Sequence, residues 1–308
     1  MSYLAEVTLR SAAGIAGLSD QLRRRHETFL IDAQRDDGGF AGRRGESDLY
    51  YTGFGVRALA VLGKLDADRA GRVVGFLKDR FSPDLPAMDF FSLVTSAVMT
   101  QATTGKSLFA ELQIDVRKAV AEFFRPLRRD DGGYAKTARS GPSSTYSTFL
   151  VAACQQLVGV PLETPDRMAE LIRGRRRSDG GFVEIEPMRQ SGANPTAAAI
   201  GLLKIVGLLD EPVAEPAAGF IAGMQTPQGG LRANSRIPAA DLLSTFTGLN
   251  ALQDIGALGK VDTSAAARFT ESLQMPDGGF RAGTWDDVAD VEYTFYGLGV
   301  LGLSIYGS

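Results

Sequence analysis

The phrase QMPDGGF at residues 274–280 is the last of five variants: QRDDGGF stands at 34–40, RRDDGGY at 128–134, RRSDGGF at 176–182 and QTPQGGL at 225–231. Their second glycines are Gly39, Gly133, Gly181, Gly230 and Gly279; the last four are 48, 49 and 49 residues apart, and the first gap is 94. A gap of two periods predicts a copy near position 86 that has lost its glycines, where Pro83-Asp84-Leu85-Pro86 supplies a turn of different chemistry. Six units of about 48 residues then fill the chain from about residue 31 to 308, and fixed self-similarity of this length is the mark of a repeat architecture.

Each unit follows one grammar. The Gly-Gly turn leads into a polar stretch, then an apolar run with helical spacing: 48–65, 89–100, 144–158, 195–208, 241–255 and 290–303. A short link follows, then a more amphipathic run such as 68–80 or 264–273. These runs are too long for strands and lack alternation, so the fold class is all-α, with paired helices in each repeat. Links such as Thr164-Pro165-Asp166 and Asp262-Thr263-Ser264 carry N-cap residues. A helix apolar on all sides belongs inside and an amphipathic one outside. An inner set of six helices and an outer set of six follow. Periodicity alone leaves an open solenoid as an alternative to a ring. The expected organisation is a single domain over 1–308, with 1–30 as an N-terminal helical extension.

Composition narrows the function. A hydrophobic share of 44% supports a sizeable core, and a formal charge of -3 offers no basic excess for nucleic acid. One cysteine, Cys154, allows no internal disulfide and fits a reducing, cytoplasmic setting. No apolar run is long enough to span a bilayer, and the stretch 11–18 lacks the features of a signal peptide.

Repeats of Gln-x-x-x-Gly-Gly-aromatic followed by paired helices resemble the α/α toroid of protein prenyltransferase β subunits and squalene–hopene-type cyclases. The likeness covers about residues 20–308. It is strongest over 272–303, SLQMPDGGFRAGTWDDVADVEYTFYGLGVLGL, which is similar to the last repeat of Rab geranylgeranyltransferase β subunits. The resemblance implies a closed (α/α)6 toroid around a central apolar cavity, an isoprenoid ligand and, for the prenyltransferases, a helical partner subunit.

The same resemblance exposes departures. The prenyltransferases hold zinc with an aspartate, a cysteine two residues on and a histidine in the final repeat. The aspartate matches Asp241, whereas the other two positions are Leu243 and Tyr293. With one cysteine and one histidine (His26) in the chain, substitutes of zinc's preferred kind are missing, so no zinc is expected; Mg²⁺ would enter only with a diphosphate ligand. The cyclases protonate an alkene with the middle acid of an Asp-x-Asp-Asp run. The nearest match, Asp287-Val288-Ala289-Asp290, has alanine in that place.

Candidate catalytic groups are therefore Asp48, Asp89, Asp241 and Asp290 at inner-helix starts, each an acid if burial raises its pKa and otherwise a helix cap. Tyr293, at the lost zinc-ligand position, joins them as a proton or hydrogen-bond donor. For an isoprenoid diphosphate, the loops after the Gly-Gly turns offer Arg139, Arg189, Arg232, Arg236 and Arg281, since guanidinium groups grip diphosphate bidentately. The resembled family places basic diphosphate contacts in the segment holding Arg232 and Arg236, while its diphosphate-contacting histidine corresponds to Gly192. Tyr50, Phe54, Tyr146, Phe246, Trp285 and Tyr296 are the candidate wall for a prenyl chain, their ring faces suited to carbocations. The expected function is zinc-independent transfer or cyclisation of an isoprenoid diphosphate. The alternatives are a non-catalytic toroid that binds a ligand or protein, and a polysaccharide-active enzyme, which would need paired carboxylates and more tryptophan than Trp285.

Overall fold

The computed structural model describes residues 1–82, 84–139 and 141–306; Pro83 of the predicted second turn lies outside the described residues. The described chain is helical: α1 Tyr3–Ile15, α2 Asp20–Ala33, α3 Leu49–Val61, α4 Ala67–Arg80, α5 Ala87–Thr104, α6 Leu108–Glu111, α7 Val116–Phe124, α8 Thr145–Val158, α9 Pro165–Gly174, α10 Ala193–Ile205, α11 Glu211–Ala222, α12 Leu242–Asp254, α13 Thr263–Glu271 and α14 Val291–Tyr306. Among the described residues, extended pairing is confined to isolated bridges such as Phe40 with Gln34 and Asp48. No described helix is long and apolar enough to cross a membrane.

Two compact units divide the chain. One comprises residues 1–6 and 120–269, the other 7–119 and 270–306. In the first, α10 packs between α8 and α12 and also meets α9 and α11. In the second, α3 packs between α14 and α5, with α2 and α4 against it. The helices α3, α5, α8, α10, α12 and α14 are the predicted inner runs. Their partners carry one buried stripe each; on α4 it is Ala70, Val73, Val74, Phe76 and Leu77.

The glycines explain how a turn meets a helix. Gly229 has φ +101°, and a Cβ there would stand 2.2 Å from the Ala265 carbonyl oxygen of α13. A Cβ on Gly230 would stand 2.4 Å from the Phe269 ring one helical turn further on. Each turn therefore lies flat on an outer helix, at two positions four residues apart. The equivalent docking positions are Arg72 and Phe76, Arg167 and Leu171, Pro216 and Phe220, and, for the last turn, Arg25 and Phe29. The last pair lies on α2, so residues 20–33 of the expected N-terminal extension receive the final repeat's turn.

The residue after each glycine pair locks the turn to its own inner helix. Phe40, Phe182, Leu231 and Phe280 are fully buried and Tyr134 nearly so. Their backbone N–H groups donate to Thr52, Thr196, Thr245, Thr294 and Thr148 hydroxyls at 2.9–3.1 Å. A buried N–H is thus satisfied while the side chain fills the core, and truncating such a phenylalanine costs about 3–5 kcal/mol.

Candidate functional site

Three of the four candidate aspartates start inner helices as caps. The carboxylate oxygens of Asp48, Asp241 and Asp290 accept from Tyr51 N at 2.7 Å, Ser244 N at 2.7 Å and Tyr293 N at 2.9 Å. Asp241 also accepts from Ser244 Oγ at 2.8 Å. Asp89 lies in the first turn of α5, whose cap position is Pro86. Burial pushes all four carboxyls above the ordinary range, with the charge of Asp48 adding to the effect at Asp89. At the three capping aspartates the helix N–H groups pull the other way.

Asp290 belongs to a denser cluster in the unit formed by 7–119 and 270–306. Arg43, on the loop after the first Gly-Gly turn, reaches the last repeat's loop. Its Nη1 donates to Asp286 Oδ1 at 2.8 Å, its Nη2 to Asp286 Oδ2, and its Nε to Asp290 Oδ2 at 3.0 Å. The guanidinium lies 5.8 Å from the Tyr293 ring centre. For Asp286, burial opposes ionisation, but the Ala282 N–H and Arg43 outweigh it and hold the carboxyl below its ordinary range. A cavity of about 420 Å³ opens here, lined by Arg43, Tyr51, Ala282, Trp285, Asp286, Asp290, Glu292 and Tyr293.

Glu292 is a further candidate that motif reading passed over. It is the one charged residue of α14, as Arg57 is of α3. A lone charge in an otherwise apolar helix was the available signal. Tyr50 Oη donates to Glu292 Oε1 at 2.7 Å and Tyr296 Oη to the same oxygen at 3.5 Å. Burial, then repulsion from Asp290, pushes this carboxyl above its ordinary range against the Tyr50 bond. Beside it, Phe54 packs on Tyr50, Phe295 and Tyr296 with ring centres 5.0–5.8 Å apart. Arg57 lies 4.2 Å over Phe54 and 4.8 Å over Phe295, so these ring faces already hold a cation. The sequence candidates Tyr50, Phe54, Asp290, Tyr293, Trp285 and Tyr296 thus share one unit with Asp48 and Asp89. Trp285 is the most exposed of them at 59%.

Of the remaining candidates, Arg281 shares this unit and the others belong to the unit of 1–6 and 120–269. Arg281 is half-buried, donating from Nη1 to the Asp286 carbonyl at 2.9 Å, and its buried Nε has no partner. In the other unit, Arg232 is half-buried, with a 3.5 Å contact from Nη2 to the Gly223 carbonyl and a buried Nε without a partner. Arg139, Arg189 and Arg236 are exposed. Phe246 is buried on α12, and Tyr146 is exposed at the start of α8.

The residues at the family's zinc positions do not fit that metal. Leu243 and Tyr293 replace two ligands, and Asp241 is committed to Ser244. Cys154 is fully buried in α8, where burial pushes its thiol up and away from the thiolate that zinc requires. His26 is also fully buried. Its Nδ1 accepts from Gly279 N at 3.0 Å and its ring stacks on Phe280 at 4.4 Å, while burial lowers its pKa to about 4. It is a packing residue for the last turn. Among the described residues, no three of His, Cys, Asp and Glu gather as a metal-binding group.

Known proteins place this arrangement in context. The protein geranylgeranyltransferase-I of Candida albicans, solved in complex with GGPP, has a TM-score of 0.74 at 15% identity, over 92% of this chain and 91% of that one. The type II terpene cyclase MstE from Scytonema has a TM-score of 0.62 at 16% identity, over 92% and 97%. A glycosidase has a TM-score of 0.59 at 14% identity, over 94% and 98%. At these identities the likeness shows the fold alone. No curated protein matches in sequence. The family model of the prenyltransferase alpha-alpha toroid domain matches residues 8–232 and 209–305, and this all-α chain belongs to that family.

Proposed function

We propose that the protein binds an isoprenoid diphosphate and cyclises it without zinc, by protonating an alkene from the Glu292 carboxyl. One observation carries the reading: a carboxyl raised by burial stands beside a tyrosine hydroxyl and a run of aromatic faces. Each capping aspartate spends an oxygen on a helix N–H group, and Asp290 its other oxygen on Arg43, whereas Glu292 has no capping duty. With Tyr50 bonded to Oε1, the other oxygen is the natural seat of the proton.

The chemistry balances within the substrate and this one acid. The O–H bond of Glu292 breaks as a C–H bond forms at the terminal alkene, leaving a tertiary cation that the internal alkenes attack to close rings. Loss of a proton to water or to the Glu292 carboxylate ends the sequence, so the product is an isomer of the substrate. Tyr50 and Arg57 steady the carboxylate that forms, and the Tyr296 ring, whose hydroxyl reaches the same Glu292 oxygen, is the aromatic group offered to the cation. The half-buried Arg281, in the same unit as Glu292 and with an unpartnered Nε, is the cation this reading assigns to the diphosphate. The neighbouring folds support the substrate class: one is a geranylgeranyltransferase complexed with GGPP, another a type II terpene cyclase.

The test is incubation with farnesyl and geranylgeranyl diphosphates in deuterated water with a chelator, followed by mass spectrometry. A cyclic isomer carrying solvent deuterium is expected, and Glu292→Gln should lower its formation by about 10²–10⁴-fold with the fold intact. Because the acid form is the reactive one, the rate should fall as pH rises through the elevated Glu292 pKa. A rate that Glu292→Gln leaves unchanged overturns the assignment.

A further inference from the structure

The cavity of about 420 Å³ beside Arg43 lies in the unit built of residues 7–119 and 270–306, and its size falls within the range of small-molecule sites. Two of its walls are aromatic rings laid on bare backbone. A Cβ on Gly283 would stand 2.2 Å from the Trp285 ring, and one on Gly42 would stand 2.5 Å from the Tyr51 ring. Each ring thus rests on a glycine, where a side chain would displace it. Trp285 is nevertheless 59% exposed, so one part of its surface is open at the lip of the cavity. Tyr293 also lines the cavity, but Arg43 already lies 5.8 Å from its ring centre.

The charge in the wall is negative. Asp286, Asp290 and Glu292 line the cavity, and Arg43 is the one cation among its eight lining residues. With Glu292 in its acid form, the two aspartates still outnumber the guanidinium. Asp286 is held below the ordinary carboxyl range. Asp290 is raised by burial, but it accepts from the Tyr293 N–H and from Arg43, and both bonds favour its ionised form. The Tyr51 hydroxyl feels the balance: burial raises its pKa first, then the charges of Glu292, Asp290 and Asp48, with Arg43 opposing. Arg57 and Arg281 stand outside the wall, the first over the Phe54 and Phe295 rings and the second on the Asp286 carbonyl.

Such a wall repels an anion and selects among cations. Five of its six carboxyl oxygens already accept a hydrogen bond: both of Asp286 from Arg43 and Ala282 N, both of Asp290 from Tyr293 N and Arg43, and one of Glu292 from Tyr50. A primary ammonium brings three N–H donors that would compete with Arg43 for those oxygens, and the hydroxyls of a sugar would compete likewise. A quaternary ammonium brings charge and no donor, so a negative field and aromatic faces satisfy it. We infer that the cavity binds the quaternary ammonium group of a small molecule, its methyl groups against the Trp285 and Tyr51 rings and its charge facing Asp286 and Asp290. The inference goes beyond the cyclisation proposed for Glu292 and stands without it.

Trp285 is the one tryptophan of the chain, so its fluorescence reports the lip of the cavity directly. The experiment titrates the full chain, with no isoprenoid present, with choline, tetramethylammonium, methylammonium and the uncharged isostere of choline that carries a tert-butyl group. Choline and tetramethylammonium should give a saturable change, about tenfold tighter than the isostere, with methylammonium weaker than either. By calorimetry, Trp285→Leu and Tyr51→Leu should each weaken choline binding about threefold to fivefold, and Trp285→Phe less. Trp285 is exposed, so an unchanged melting temperature of its variants separates loss of binding from loss of fold, whatever Tyr51→Leu does to its helix. Phosphocholine should bind more weakly than choline, because its phosphate enters the same field. Tighter binding of phosphocholine would assign the cavity to a lipid-type headgroup and overturn the inference. Absence of a saturable response overturns it too. So does an equal response to the isostere, to glucose or to potassium chloride, which would assign the cavity to apolar contact, a polyol or bare charge. Since no isoprenoid is present, either result leaves the test of Glu292 untouched.

Discussion

The loop after the Gly-Gly pair makes the same turn in repeats four, five and six: the N–H groups of Met188, Ile237 and Asp286 donate to the carbonyls of Ile185, Asn234 and Gly283 at 3.1, 3.2 and 3.2 Å. Each closing residue stands seven positions after the second glycine. In repeats four and five that residue is apolar and exposed, beside an unconstrained arginine. In repeat six it is a buried aspartate that accepts from Arg43 and from Ala282 N at 3.0 Å. The repeat therefore dictates the backbone of the turn, and one side chain decides whether its tip is tied inward or left at the surface. Tying it builds the walls of the cavity beside Glu292; leaving it free puts an apolar side chain and an arginine at the surface.

The most damaging change should be one that removes what the turns have in common. Gly229→Ala adds a Cβ 2.2 Å from the Ala265 carbonyl at φ +101°, where neither the backbone nor the neighbour can yield cheaply. A loss of about 3 kcal/mol or more is expected in urea denaturation. Gly278→Ala, at φ +94° and 2.5 Å from the Arg25 carbonyl, should behave alike. A mild effect in one of the two would mean that only the other turn is anchored by close approach.

Next in size is the change that turns repeat six into repeat five at its tip. Asp286→Ile leaves the Ala282 N–H and part of the Arg43 guanidinium without acceptors. Breaking a fully buried pair costs about 3–5 kcal/mol and a surface pair under about 1. The Arg43 side chain is 35% exposed, so about 2 kcal/mol is expected. The pH dependence carries a sign. Because the folded state holds Asp286 below its unfolded value, the clasp stabilises above the unfolded carboxylate pKa of about 4 and is lost as pH falls through the folded one. The stability difference between wild type and Asp286→Asn should therefore shrink on acidification. A difference that grows would show that the aspartate is not ionised in the clasp.

These contrasts show why some features were legible in the sequence and others were not. The five Gly-Gly cores, the inner and outer helices and the capping aspartates all follow from local spacing, since each acts within one repeat. The start of α5 after Pro86 was placed by arithmetic on the period, with no motif of its own. What local spacing could not specify is which groups far apart in the chain become partners. Arg43 pairs with acids 243 and 247 positions away, and His26 seats a turn 253 positions away. Glu292 lay in view, but only its bond with Tyr50, 242 positions earlier, marks it as more than an odd charge. The arginine loops read as one diphosphate-binding set because equal composition hides burial. The structure separates the half-buried Arg232 and Arg281 from the exposed Arg139, Arg189 and Arg236.

The smallest effect is expected from the reverse exchange, Ile237→Asp. If an aspartate at the turn's last position tied the loop down by itself, this variant should gain stability. A tie needs a cation within reach, a backbone donor placed like that of Ala282, and enough burial to strengthen both. Ile237 is 44% exposed, and the adjacent Arg236 uses its backbone, not its guanidinium, to hold the turn. Any new ion pair would form in water and contribute little. Stability should stay within about 0.5 kcal/mol of wild type in the same urea assay. A larger gain would mean that the turn itself organises the clasp, and that Arg43 only joins one already made.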